Sequence, residues 1–265
     1  MERRQKRAVA YIMVLVMALT IMVPSVSYAE TMDISAIKPL AFYDFKDGMP
    51  ADMKAGAYGD TAVPAVVWDT ERGMVLDMDF GANKSEAYVE FPNPYLGKDL
   101  TGVTMMLWVK VDPLAQYYAY DNLIAFRDGD ARLTLQVQPY LCWNNMAGSW
   151  VDIKSPAALS VVKGVWTHIA ITISVENIGM YINGIPIAYE VTGSDGSHNT
   201  GDKFDTRSML ELLKQAEAYL GFGSFWGSQD CSMDSIAFYD VALTDEQILY
   251  TYLSDQCLIE GLKAY

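Results

Sequence analysis

The chain has 265 residues, with 33 Asp and Glu against 19 Lys and Arg, and a formal net charge of −14 at pH 7. That balance lacks the basic footprint on which nucleic-acid binding and attachment to anionic membranes depend. With only three cysteines and two histidines, no cluster has the ligand spacing of a zinc site.

Residues 1–29 read as an export signal. Glu2-Arg3-Arg4-Gln5-Lys6-Arg7 is a mostly basic start, and Ala8 to Val23 is apolar apart from Thr20. Ser27-Tyr28-Ala29 offers small residues at the two positions a signal peptidase reads. Cleavage is expected after Ala29, giving a secreted protein with no membrane attachment. The alternative is an uncut signal acting as an anchor, although the apolar run is shorter than the ~20 residues of a membrane span. Losing residues 1–29 removes Arg3, Arg4, Lys6 and Arg7 against Glu2 alone, so the remainder is more acidic still. Cys142, Cys231 and Cys257 allow at most one internal bridge. A Cys231–Cys257 staple and free buried thiols are both open.

Beyond the signal the elements come as short strands. Leu40 to Phe45 opens the fold and is ended by Asp47-Gly48-Met49-Pro50, with a Gly- and Ala-rich loop through Ala62. Gly73 to Phe80 and Ala87 to Phe91 alternate like strands, and Thr101 to Val111 is a longer one. Asn122 to Arg127 and Arg132 to Gln138 flank the turn signal Asp128-Gly129-Asp130. Leu141 to Asn144 and Trp150 to Ile153 form a further hairpin. From Val165 to Ala188 the period-two pattern is strongest: Ile169, Ile171 and Ile173 share one face, and Trp166, His168, Ala170 and Thr172 the other. Asn183-Gly184 between Ile182 and Ile185 predicts a type I′ hairpin turn, whose two central residues both need positive φ. Two short helices interrupt the strands. Thr206 to Ala218 carries an amphipathic repeat of Met209, Leu210, Leu213 and Ala216. Thr244-Asp245-Glu246-Gln247 is a capping box that starts a second helix with Ile248, Leu249, Tyr252 and Leu253 on its buried stripe. Many strands with turn signals between them and little helix predict an all-β sandwich or barrel.

Four motifs in this order resemble the laminin-G-like (concanavalin A-like lectin/glucanase) jelly-roll domains. They are the opening Phe42-Tyr43-Asp44-Phe45, the tryptophan strand Thr104 to Lys110, the W-T-H-I-A-I-T and M-Y-I-N-G pair, and the ending Met233 to Ile248. The resemblance implies a two-sheet antiparallel jelly-roll β-sandwich with short inserted and C-terminal helices over residues 30–255. Residues 256–265 are then left as a C-terminal tail. It also implies a binding module, since members of the family are mostly that. The family often holds a structural calcium between its first and last strands. Here Asp234 matches the last-strand acid. Lys46 stands where the first-strand acid belongs, so Asp44 or Asp47 would have to serve instead. Calcium needs six to eight oxygens, which two carboxylates with carbonyls and water can supply.

Glycoside hydrolases on this scaffold face two carboxylates across a sugar ring. The usual Glu-x-Asp-x-x-Glu run is missing, and no serine-protease-like or metalloprotease motif is present. His168 is a lone histidine with a packing or hydrogen-bonding role. The expectation is therefore a non-catalytic, lectin-like carbohydrate binder with one structural calcium. The alternative is a protein-interaction or adhesion module at the cell surface, and a glycan-active enzyme ranks third. Sugar faces stack on Trp and Tyr while amides bind hydroxyls. Trp143, Asn144, Asn145, Trp226 and Tyr118 are the expected ligand contacts, and the partner is a glycan or a surface protein.

Overall fold

The computed structural model describes residues 38–58, 62–78, 86–115, 121–137, 140–145, 151–193, 198–199, 205–222 and 227–263, with backbone only at 144–145, 198–199 and 256–263. In chain order the first strands are β1 (Ala41–Tyr43), β2 (Lys54–Ala57), β3 (Ala65–Asp69), β4 (Gly73–Asp77), β5 (Ala87–Phe91) and β6 (Gly102–Val111). There follow β7 (Asn122–Asp128), β8 (Ala131–Val137), β9 (Leu141–Asn145), β10 (Val151–Lys154), β11 (Thr167–Ser174), β12 (Ile178–Ile182), β13 (Ile185–Pro186), β14 (Glu190–Gly193) and β15 (His198–Asn199). Helix α1 (Thr206–Leu213), β16 (Glu217–Gly221), β17 (Cys231–Tyr239) and helix α2 (Asp245–Lys263) complete the chain.

Two antiparallel sheets pack face to face as a jelly-roll sandwich. One sheet has eight strands in the order β13-β12-β11-β6-β17-β4-β3, with β1 also on β17. The other has nine, in the order β15-β14-β10-β9-β8-β7-β16-β5-β2. The first lends Val103, Met105, Leu107, Val109, Ile169, Ile171 and Ile173 to the core, all at alternate positions. The second lends Leu133, Leu135, Val137, Leu141, Trp143 and Ile153 in the same way. Alternate residues of a strand leave on opposite faces, so this one pattern also fixes which side chains face outward.

The Asn183-Gly184 turn forms as the sequence predicts, with φ of 51° and 76°. Gly184 has a second constraint. A Cβ there would lie 3.1 Å from the Leu249 Cα and the Tyr252 Cβ of α2, so the turn doubles as a seat for that helix. The α2 capping box is present: the Thr244 amide donates to Gln247 Oε1 at 2.8 Å and the Gln247 amide donates to Thr244 Oγ1 at 3.4 Å. Helix α1 starts at the cap Asp205, whose carboxylate accepts from the amides of Arg207 and Ser208, and it buries Met209, Leu210, Leu212 and Leu213.

Three expectations need correction, and one irregularity is new. The loop expected through Ala62 contains β2, which pairs with β5 from Lys54 opposite Glu90 to Ala57 opposite Ala87. Helix α1 ends at Leu213, and Glu217 and Ala218 belong to β16. The residues expected as a tail continue α2 as far as Lys263. Along β17 the pairing with β6 steps from Asp234 opposite Trp108 to Ala237 opposite Met106, so one extra residue is inserted. Ser235, at φ 49°, takes up this bulge. Met233, Ile236 and Phe238 can then all enter the core although their spacing breaks strict alternation. No described helix is long and apolar enough to cross a membrane.

Candidate functional site

Residues directly opposite one another in an antiparallel ladder share a face. Following those pairs across the nine-stranded sheet gives a single row that crosses every strand. It runs Lys54, Glu90, Tyr219, Ala125, Thr134, Asn144, Asp152, Thr192 and His198. Every position but Ala125 is polar, charged or aromatic. The row lies on the face away from the core, because the alternating partners Val89, Leu220, Leu133, Leu135, Trp143, Ile153 and Val191 belong to the core.

At the β2–β5–β16 end the row meets four aromatic rings in mutual contact. Tyr58 lies 5.4 Å from Tyr88 and 5.5 Å from Phe222, and Tyr88 lies 6.1 Å from Tyr219. Tyr58 is 54 % exposed, so the group is open to solvent. Gly56 opposite Tyr88 makes the arrangement possible, since a Cβ at residue 56 would fall 2.6 Å from the Tyr88 ring. Arg127 flanks the rings. It donates to Glu217 at 2.7 Å, and its guanidinium sits 5.4 Å over the Tyr219 ring. The Tyr219 hydroxyl donates to the same Glu217 oxygen at 2.9 Å. The hydrogen bond from Arg127 holds the Glu217 carboxyl below its ordinary range. Burial, and then the Glu217 contact, push the Tyr219 phenol up to about 12. The Tyr219 ring is therefore held by fixed polar partners.

Toward β8–β10 the same face becomes buried and hydrogen-bonded. Gln136 Nε2 donates to Thr134 Oγ1 at 2.8 Å and to Asn122 Oδ1 at 3.2 Å. Asp152 is buried beside Lys154 at 2.8 Å. The Asn122 Nδ2 group is buried without a hydrogen-bond partner among the described residues.

A second concavity, of about 250 Å³, opens at the β3 edge of the eight-stranded sheet, lined among others by Trp68, Asp69, Asp77, Lys110, Asp112, Asp230 and Ser232. Asp69 is fully engaged there. It accepts from Trp166 Nε1 at 3.1 Å, from the amides of Glu71 and Arg72, and from Lys110. Trp68 is 72 % exposed, but alternation sends its side chain to the other face of β3 from Val67 and Asp69.

The residues expected from the sequence fall differently. Asn144 occupies the middle of the polar row, and Asn145 is the next residue of β9, opposite Leu133 and Val151. Trp143 is a correction: it is 0 % exposed and belongs to the core. It follows Cys142 and precedes Asn144 in a central strand, so it must take the face they do not. Tyr118 and Trp226 lie outside the described residues. Tyr58, Tyr88, Tyr219 and Arg127 went unread, although Ala87-Tyr88-Val89-Glu90-Phe91 alternates cleanly enough to place Tyr88 and Glu90 together on the outer face.

The sequence profile described as the concanavalin A-like lectin/glucanases superfamily matches residues 83–249. The chain belongs to this superfamily. None of the curated proteins matches the chain. Among solved structures, domain 4 of the GH43 extracellular arabinanase AbnA from Geobacillus stearothermophilus, in complex with arabinotriose, is similar. It has a TM-score of 0.56 and 16 % identity over 80 % of this chain and 97 % of that one. The binding domain of Paraclostridial Mosquitocidal Protein 1 gives 0.50 and 15 % over 78 % of this chain and 51 % of that one. Botulinum neurotoxin type C, whose cell entry depends on interaction with two ganglioside molecules, gives 0.50 and 11 % over 76 % of this chain and 46 % of that one. The chain thus spans about half of each toxin chain, and at these identities the likeness is one of fold.

For a member of this superfamily, calcium between the first and last strands is the expectation to test against the residues. Asp234 Oδ2 is taken by the Arg72 guanidinium, with Nε at 2.8 Å, and Asp44 Oδ2 by Lys46 Nζ at 2.8 Å. Asp47 is exposed at the surface of the β1–β2 loop. No three acidic, histidine or cysteine side chains converge as a metal set among the described residues. Asp44 and Asp234 thus each already face a basic side chain of the protein, while Asp234 Oδ1 is buried without a hydrogen-bond partner among the described residues. Cys142 and Cys231 are buried free thiols, and the side chain of Cys257 lies outside those described. His168 is buried, 5.4 Å from the Trp108 ring and 5.7 Å from that of Tyr252, in the packing role the sequence suggests.

Proposed function

We propose that this chain is an exported, non-catalytic carbohydrate-binding module whose sugar-stacking surface is the Tyr58–Tyr88–Tyr219–Phe222 group. The observation that carries the reading is that group itself: four touching rings at the solvent end of a polar row, with Arg127, Glu217 and Glu90 beside them. Ring faces supply apolar area for a pyranose or furanose, and the flanking charged groups supply hydroxyl partners. The arabinotriose held by the similar arabinanase domain and the gangliosides of the neurotoxin support a glycan as the partner class.

The experiment is glycan-array screening of the secreted protein, its N-terminus checked at Glu30 by mass spectrometry, followed by affinity electrophoresis on the best glycan. Tyr88→Ala and Tyr219→Ala should weaken retention at least tenfold while the melting temperature stays close to that of the parent. Retention unchanged in both variants would sink the assignment of the face.

Two other readings have their own addresses. Leu114, Val162 and Val165 are 89 %, 63 % and 52 % exposed on two loops that meet where Gly164 approaches Pro113. That apolar tip favours a protein-interaction module if no glycan is retained. The aspartate-lined cleft beside β3 would serve a glycan-active enzyme, and product release from a retained glycan would move that reading ahead.

A further inference from the structure

The strongest unexplained feature is a buried cation. Arg72, in the β3–β4 turn, has a side chain only 3 % exposed and no role in the tyrosine face. Its Nε donates to Asp234 Oδ2 at 2.8 Å, and its Nη2 donates to Ser235 Oγ at 3.1 Å and to Asp255 Oδ2 at 2.8 Å. Its guanidinium lies 4.3 Å from the centroid of the Trp108 ring, and that ring also stacks with Tyr252 of α2 at 5.6 Å. One side chain thus joins the β3–β4 turn, the bulge of β17, the tryptophan strand β6 and helix α2. Lys46 adds a second positive charge close by. Its ammonium is held charged first by Asp44 and further by Asp234 and Asp255.

We infer that Arg72 supplies internally the positive charge that a structural cation would otherwise bring to Asp234, so the domain folds and docks α2 without calcium. The chemistry suits the exchange. A guanidinium is always charged, offers several donors in a plane, and lies flat on an indole, none of which an ammonium does as well. Breaking a buried ion pair by removing one partner leaves an uncompensated charge in low dielectric, which is strongly destabilising. Here the loss reaches two carboxylates, because Arg72 pairs with both Asp234 and Asp255 and only Lys46, already paired with Asp44, remains nearby. Even with Arg72 in place, burial holds the Asp234 carboxyl above its ordinary range.

The test is thermal melting of the purified protein with excess chelator and with added calcium, beside three variants. The parent should melt within about 1 °C in both conditions, because a ligand shifts the midpoint only if it binds the native state. Arg72→Ala should melt roughly 10 °C lower, and limited proteolysis should then cut within α2. Arg72→Lys should recover only part of that loss. If Arg72→Ala fails to fold, Asp255→Asn is the decisive variant, expected to keep the sandwich intact while loosening α2 to protease. A chelator-induced fall that calcium reverses in the parent would overturn the inference. So would an Arg72→Ala or Asp255→Asn protein with parental melting and parental resistance of α2.

Discussion

His168 is packed against Trp108 and Tyr252, and that burial sets how the domain responds to acid. Loss of solvation, and then the neighbouring Arg72, lower its pKa to about 3. An unfolded histidine takes its proton near 6.5. The folded pKa is the lower of the two, so the contribution to stability is complete above pH 6.5. It is lost as pH falls from there toward 3. By pH 5 the loss should reach about 2 kcal/mol, ahead of most carboxylate titration. Urea unfolding at pH 7.5 and pH 5 measures it, and His168→Phe should flatten the difference if the protein still folds. Trp143 makes the opposite point about reading single residues. Asparagines at 144 and 145 suggest a ligand contact, yet the ring fills the core and its Nε1 has no hydrogen-bond partner among the described residues. Trp143→Ala should cost about 3–5 kcal/mol. Trp143→Phe should cost less, because it removes the unpaired N–H together with the excess volume. Neither change should act on glycan retention while the protein stays folded.

At the level of elements, the features with a complete local signal are the legible ones. The Asn183-Gly184 turn needs only its own two residues to announce positive φ, and the Thr244–Gln247 box needs only four. Strand β5 was legible to the residue because Ala87, Val89 and Phe91 alternate with Tyr88 and Glu90. Strand β2 was not, because Lys54-Ala55-Gly56-Ala57 carries no β-branched residue and is held as a strand by β5 beside it. The tyrosine face escaped for the same reason. Tyr88 and Tyr219 are 131 positions apart, and only the pairing of β5 with β16 brings them together. Gly56 then gives an element-level prediction. Gly56→Ala should displace the Tyr88 ring, whose far end would sit 2.6 Å from the new methyl. The ring tip can swing outward, so stability should change by less than about 1 kcal/mol. Glycan retention should fall nearly as far as in Tyr88→Ala, and equal retention in Gly56→Ala and parent would show that the ring's pose does not matter.

At the scale of the whole molecule, the sandwich class was legible because patterning decides it. The order of strands was not, since no local signal names a partner far along the chain. The first strand pairs with the last, Ala41 opposite Phe238 and Tyr43 opposite Ile236. Strand β17 pairs with β1, β4 and β6, and β6 lies between β11 and β17 and so must wait for both. The consequence lies in time rather than in geometry. A ribosome delivers β1 nearly two hundred residues before its neighbour β17, so during synthesis an unpaired edge persists with Phe42 and Tyr43 on it. Loop-closure entropy must be overcome before that long-range contact can reward the chain, which places refolding in the slow, millisecond-to-second class of β-sandwiches. Truncation anywhere before β17 would leave the eight-stranded sheet without its central link and β1 without the strand it pairs with, so a nascent chain keeps an exposed, aggregation-prone edge until β17 has emerged.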